Sequence, residues 1–155
     1  MNAAKKIITR IEADPKKKAA NAELSILRTA AYCRVSTDSS DQLESYKAQV
    51  AYYTDAIAKN PKWRFAGVYA DEGLSGTQAA KRDDFLRMIK DCEKGKIDYI
   101  ITKSVARFAR NTVDALKYVR KLKALGIGVY FEEQCLDSLK SESELALGIY
   151  SVLAQ

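Results

Sequence analysis

The stretch AAYCRVSTDSSDQ, residues 30–42, begins as a buried strand and ends as a polar loop, with Arg34 and Ser36 at the changeover. The segment that follows, QLESYKAQVAYYTDAIAKN, carries apolar residues at steps of three and four, which predicts an amphipathic helix. Its predicted buried face consists of Leu43, Tyr46, Val50, Tyr53 and Ile57. A strand–helix unit is therefore expected at this point of the chain.

The same alternation continues toward the end of the sequence. Three more strands are predicted in RFAGVYADE, IDYIITK and IGVYFEE, and three more helices in DDFLRMIKDCEKGK, in TVDALKYVRKLKALG and from about Ser143 onward. Asp83 or Asp84 is expected to cap the first of these helices and Gly95 to end it, and Thr112 is expected to cap the second. Strands that alternate with helices of this length imply right-handed crossovers. The predicted fold class is α/β, an open, mostly parallel sheet with helices on both faces.

Composition narrows the class of protein. A chain of 155 residues, 47% hydrophobic and 30% charged, suits one soluble domain, and no apolar run approaches the roughly 18 residues of a membrane span. The amino-terminal segment lacks the apolar region of a secretory signal. Three widely spaced cysteines without a CxxC pair, and no histidine, predict a cytoplasmic protein with free thiols and no zinc site. No cofactor is expected. The lack of histidine also removes the commonest general base.

The net charge of +6 is unevenly distributed. Residues 1–28 hold seven basic and three acidic residues, a balance of +4 that leaves +2 for the rest of the chain. We therefore divide the chain into a basic leader, 1–27, and a domain, 28–155. The leader is either a solvated, mobile arm or an arm that touches nucleic-acid phosphates.

Loops that leave the carboxyl ends of parallel strands meet at one edge of the sheet, where such folds bind ligands. The loops after the first three predicted strands supply, in chain order, Arg34, Ser36, Asp71, Glu72, Ser75, Arg82, Lys103, Ser104, Arg107 and Arg110. Arginine and hydroxyl side chains are therefore expected to lie together at this edge.

These residue types suggest chemistry on a phosphate. Side chains alternate along a strand, so Arg34 and Ser36 share one face with Tyr32, whereas Cys33 points to the other face and is expected to be a core thiol. A serine after a strand is often a turn or cap residue, and an isolated RxxR pair is often a solvated basic face. Arginines from two loops beside a serine instead favour an oxyanion ligand, because guanidinium groups bind phosphate in bidentate fashion. A nucleophile among arginines suggests phosphoryl transfer.

The spacing of the arginine pair and of the acidic pair predicts the direction of their side chains. Arg107 and Arg110 are three residues apart, which on a helical turn would direct both side chains the same way. Asp71 and Glu72 could form a metal-binding pair, but neighbours on an extended strand point in opposite directions. No metal site is expected.

Four ordered motifs, YCRVSTD, DEGLSGT, KSVARFARN and SVLAQ, resemble the catalytic domain of the serine recombinases, the resolvase and invertase superfamily. The resemblance covers residues 28–155 and is closest to the large serine recombinases of mobile elements. It implies a site-specific DNA recombinase in which Ser36 attacks a DNA phosphodiester and becomes joined to the 5′ phosphate. Strands are then exchanged and rejoined without ATP or metal.

The resemblance also implies roles for individual residues. The catalytic set is Ser36, Arg34, Arg107, Arg110, Asp71 and Arg82, and the supporting or phosphate-binding set is Gln49, Ser75, Gln42 and Ser104. Asp71 is a candidate base or orienting group. Many relatives carry aspartate or serine where this chain has Ala106, so any hydrogen bond made by that residue is missing here.

The resemblance implies DNA as partner, a homo-oligomer that is a dimer and, in synapsis, a tetramer, and no membrane association. The last predicted helix carries an apolar stripe and is still helical at SVLAQ. The expectation is a catalytic domain truncated in its last helix, with DNA-binding domains elsewhere and no activity alone. Two other hypotheses remain: a non-catalytic DNA-binding or regulatory module on the same fold, and a phosphoester hydrolase.

Overall fold

The computed structural model describes residues 25–36, 41–73, 82–140, 144 and 146–148, and for Ser36 and residues 41–43 it describes the backbone alone. The elements are β1 (Leu27–Ser36), α1 (Asp41–Lys59), β2 (Trp63–Gly73), α2 (Asp83–Glu93), β3 (Tyr99–Thr102), α3 (Val105–Phe108), α4 (Thr112–Ala124), β4 (Gly128–Phe131) and β5 (Leu136–Asp137). Residues 144 and 146–148 are also helical. The leader as far as residue 24, and the apolar stripe beyond 148, lie outside the described residues.

The five strands form one sheet in the order β2-β1-β3-β4-β5. All pairs are parallel except β4 with β5, which is antiparallel. The predicted α/β fold with a mostly parallel sheet is therefore confirmed. The two-residue strand β5 was not predicted, since so short a segment has no measurable periodicity.

The sheet separates two apolar clusters, and strand β1 contributes to both. Tyr32 packs with Phe85 of α2 and Phe108 of α3 in the larger cluster. Cys33 packs with Tyr53 of α1 in the smaller one. The predicted alternation of these two neighbours along β1 is thus confirmed, and helices cover both faces.

Three predicted details of the helices are wrong, and one is confirmed. Tyr46 is 40% exposed, so the buried face of α1 is narrower than its periodicity indicated. Asp83 and Asp84 lie in the first turn of α2, whose cap position is Arg82, and Asn111 rather than Thr112 caps α4. Gly95 has φ of 74°, the left-handed conformation expected just after a helix.

Within the described part of the chain, no helix is long and apolar enough to span a membrane.

Candidate active site

Strands β1 and β3 bring the candidate residues to one edge of the sheet. The strand order reverses at β1, which has β2 on one side and β3 on the other. Tyr32 of β1 is paired with Thr102, the last residue of β3, and β1 continues to Ser36 while paired with β2. In open α/β sheets this point of reversal, at the carboxyl ends of the strands, is the position of the ligand crevice. The segment that follows β3 therefore begins next to the carboxyl-terminal half of β1.

Several predicted site residues fall partly or wholly outside the described residues. Only the backbone of Ser36 is described, as the last residue of β1 and paired with Gly73 of β2. Gln42 is described only as part of the α1 backbone. Ser75 lies outside the described residues altogether.

Arg34 is held at the end of β1 by contacts from two directions. Its Cα is paired with Asp71 of β2. Nε2 of Gln49 in α1 donates a hydrogen bond to the Arg34 carbonyl at 3.3 Å. A Cβ placed on Gly73 would lie 3.3 Å from the carbonyl oxygen of Val35 and 4.0 Å from Nε of Arg34. A glycine at this position therefore leaves space beside the Arg34 side chain.

Asp71 is buried at 7% exposure and accepts hydrogen bonds from three donors. These are the Tyr32 hydroxyl at 2.8 Å and the backbone N–H groups of Asp84 at 2.9 Å and Phe85 at 3.0 Å. The carboxylate thus supplies the capping acceptors of α2 from a neighbouring strand. Burial, and next the hydrogen bond to Asp71, raise the pKa of Tyr32 above its usual range. The phenol remains a protonated donor, and the geometry suits Asp71 to an orienting role.

The Arg82 side chain points into the protein and is only 11% exposed. Its Nη1 donates to Oδ2 of Asp114 at 2.8 Å, and its Nη2 donates to the Phe108 carbonyl. The guanidinium carbon lies 3.6 Å from the centroid of the Phe85 ring. Arg82 therefore connects the start of α2 to the segment between α3 and α4.

Ser104 and the two arginines after β3 occupy a short helix and its exit. Oγ of buried Ser104 accepts the Arg107 N–H at 3.2 Å and so caps α3. The helix ends at Phe108, and Ala109 is extended with φ of −132° and ψ of 151°. The expectation that Arg107 and Arg110 share a helical turn is therefore wrong, although both are exposed. Arg110 lies beyond the helix because the cap of α4 follows it directly.

Positive charge remains available at this edge. Among residues 25–35, 44–73 and 82–140, whose side chains are described, no carboxylate lies within 4.0 Å of the guanidinium nitrogens of Arg34 or Arg107. In that same part of the chain, no group of three or more acidic or cysteine side chains is placed to hold a metal ion. Exposed Ala106 precedes Arg107 on α3 and offers no polar side chain to it. The site can therefore bind an anion through its arginines.

A cleft of about 540 Å³ adjoins this edge and was not foreseen. It is lined by Gln49, Tyr52, Tyr53, Lys103, Glu132 and Glu133. The Tyr52 hydroxyl donates to Oε2 of Glu132 at 2.6 Å, which raises the pKa of Tyr52. Nζ of Lys103 lies 3.9 Å from Oε1 of Glu133. The sequence signal for the two glutamates is their place at the end of the fourth predicted strand, IGVYFEE, and thus at the carboxyl edge of the sheet.

Cys33 is 2% exposed, and burial raises the pKa of its thiol to about 12. The prediction that it is a core thiol is confirmed.

Comparisons with known proteins agree on one family. The model of the family described as "Resolvase, N terminal domain" matches residues 29–155. A resolvase family site-specific recombinase from Streptococcus pneumoniae is 29% identical in sequence, with a TM-score of 0.62 over 83% of this chain and 85% of that one. The N-terminal catalytic domain of TP901-1 integrase is 25% identical, with a TM-score of 0.57 over 81% and 92% of the two chains.

A third solved structure shares the fold. The C-terminal catalytic domain of ISC1926 TnpA, an IS607-like serine recombinase, is 19% identical, with a TM-score of 0.53 over 68% of this chain and 69% of that one.

Proposed function

The chain belongs to the resolvase family as a serine recombinase catalytic domain, and from this membership we propose that Ser36 is the nucleophile of site-specific DNA strand exchange. The observation that carries the proposal is the pairing of β1 between β2 and β3. In this pairing, the backbone of Ser36 and the start of the segment that carries Arg107 and Arg110 lie at the same edge of the sheet.

The chemical step is an exchange of one phosphodiester for another. Oγ of Ser36 attacks the DNA phosphorus, the bond from phosphorus to the 3′ oxygen breaks, and the 5′ phosphate becomes esterified to the serine. The serine loses a proton and the departing 3′ oxygen gains one, so the proton balance is neutral. A 3′ hydroxyl of the partner strand then attacks the phosphoserine and releases Ser36. Because the covalent link conserves the phosphodiester, rejoining needs no ATP.

Arginines stabilise the charge that develops in this step. Attack places additional negative charge on the phosphate oxygens, and a guanidinium supplies fixed positive charge that does not titrate. We assign this role to Arg34, Arg107 and Arg110. In support, the first two have no carboxylate partner within 4.0 Å among the described residues, so their charge is not already neutralised there.

The remaining predicted residues support this set. Gln49 steadies Arg34 through its carbonyl, Ser104 caps the helix that carries Arg107, and Asp71 fixes the start of α2. Ser75 and Gln42 keep their proposed phosphate-binding roles. We further propose that DNA is bound by a homo-oligomer, a dimer that pairs into a tetramer for strand exchange.

The proposal is tested by trapping the covalent intermediate. The intact protein is incubated with a suicide DNA site, and the attached peptide is identified by mass spectrometry. We expect a 5′-phosphate adduct on Ser36, and none in Ser36→Ala, whose DNA binding should stay within a few-fold. Ser25→Ala, which makes the same change just before β1 at the opposite end of the sheet, is the matched control and should form the adduct normally.

Other outcomes identify the alternatives. Free DNA ends without an adduct would indicate a hydrolase, and a mobility shift alone would indicate a non-catalytic binding module. An adduct that persists in Ser36→Ala would refute the assignment of the nucleophile.

A further inference from the structure

The carboxylate of Asp114 joins Arg82 to Arg110, one of the three arginines to which the proposed reaction assigns a role. Its Oδ2 accepts Nη1 of Arg82 at 2.8 Å and the backbone N–H of Arg110 at 3.3 Å. The backbone of Asp114 is itself fixed, because its N–H donates to Oδ1 of the cap residue Asn111 at 2.9 Å. Oδ2 of Asp114 therefore links Arg82, just before α2, to Arg110, just before the cap residue of α4.

Arg82 completes this arrangement from the other side. Its Nη2 donates to the carbonyl of Phe108, and Phe108 is the last residue of α3. The Arg82–Asp114 pair thus contacts the α3–α4 link, residues 108–111, at two points: Phe108 through the guanidinium and Arg110 through the carboxylate. Ala109 between them is extended and donates the helix-ending hydrogen bond to the Val105 carbonyl, and it is buried with Phe108 in the larger apolar cluster, whereas Arg110 is exposed.

We propose that Asp114 is a positioning residue for strand cleavage, which sets the α3–α4 link and hence the place of Arg110 relative to Arg82. The inference rests on the proposed function, since it assumes that Arg110 acts on the phosphate. Its physical basis is that Arg82, 11% exposed, is costly to leave without its counter-charge, so loss of the carboxylate displaces the guanidinium and loosens the link. Misplacement of a group by about 1 Å can cost about 100-fold in rate.

The test uses Asp114→Asn with Asp98→Asn as matched control. Asp98 accepts both a side-chain N–H and the backbone N–H of Arg28, with a 2.8 Å ion pair, and lies just before β3 at the opposite end of the sheet. In the intact protein we expect Asp114→Asn to slow covalent-complex formation by about 10-fold or more, with DNA affinity within about threefold. Asp98→Asn should leave the rate unchanged. Asp114→Glu, which keeps the charge, should recover part of the rate.

A second measurement does not depend on activity. Amide hydrogen exchange at Arg110, followed by NMR without DNA, should accelerate about 10-fold in Asp114→Asn and not in Asp98→Asn. Unchanged exchange, or a rate loss no greater than that of Asp98→Asn, would overturn the inference. If the wild-type protein forms no covalent complex, the proposed function fails, while the exchange result still decides whether Asp114 holds the link.

Discussion

The hydroxyl of Tyr32 and the carboxylate of Asp71 form a 2.8 Å hydrogen bond between the neighbouring strands β1 and β2. Asp71 is also the register partner of Arg34 on β1. The same carboxylate accepts two backbone N–H groups at the start of α2, those of Asp84 and Phe85. Strand β1, strand β2 and helix α2 are therefore joined through one side chain. Because that side chain is buried, loss of any one of its hydrogen bonds is expected to lower the free energy of unfolding.

The first prediction concerns this junction. Asp71→Asn replaces an acceptor oxygen with an NH₂ group that cannot receive a backbone N–H, so we expect a loss of about 1–3 kcal/mol in the free energy of unfolding. Tyr32→Phe removes one donor and leaves the other two bonds intact, so it should cost less, about 1 kcal/mol. Urea unfolding of the two variants measures both values. A larger loss for Tyr32→Phe than for Asp71→Asn would contradict the bonding described.

This junction also shows what a local reading of the sequence misses. Asp83 and Asp84 stand where a capping residue is expected, yet the capping acceptors come from Asp71, which is distant in sequence and adjacent only after β2 and α2 have packed. Rules for helix ends consider residues within one turn and contain no information about a neighbouring strand. By contrast, Gly95 ends α2 through its own backbone conformation, a local property that the sequence predicts well.

In the candidate site, too, the sequence predicts local features but not tertiary contacts. Alternation along β1 correctly separated Tyr32 from Cys33, because a strand fixes the direction of successive side chains. The spacing of Arg107 and Arg110 suggested one helical turn, but Asn111 caps the next helix and the chain must leave α3 before it. The inward direction of Arg82, toward Asp114, could not be predicted because it depends on a tertiary contact.

The second prediction concerns thiol reactivity. Burial raises the pKa of Cys33 and of Cys92 to about 12 each, whereas Cys135 is exposed. Since the thiolate is the reactive form, titration of the folded protein with a disulfide reagent at pH 8 should modify one thiol rapidly. The other two should react only on unfolding. Cys135→Ser is the control and should abolish the rapid phase, and rapid modification of Cys33 would contradict its place in the core.

The third prediction concerns the pH dependence of stability. The hydrogen bond from Arg28 lowers the pKa of Asp98, against a smaller opposing effect of burial. A carboxyl whose pKa is lower in the folded state stabilises the fold above its unfolded pKa, about 3.9, and this contribution is lost as the pH falls through the folded value. Asp98→Asn should therefore melt at a lower temperature than the wild type at pH 7, and the difference should narrow below about pH 4. A constant difference from pH 7 to pH 2 would contradict the ion pair.

The last prediction concerns the charge at the proposed site. Arg34→Ala, Arg107→Ala and Arg110→Ala should each slow cleavage by about 100-fold or more, because each removes fixed positive charge near the reacting phosphate. Lysine at these positions should restore little activity, since a point charge does not reproduce a bidentate fork.

The matched control for these variants is Arg64→Ala, which removes an exposed arginine near the start of β2, at the opposite end of the sheet. It changes the net charge by the same amount, so it measures any general weakening of DNA binding. If the reacting phosphate sits among the three arginines, their loss slows formation of the covalent complex far more than it weakens binding, and Arg64→Ala shows no such difference. Cleavage near the wild-type rate in all three alanine variants would mean that these arginines form only a solvated basic face.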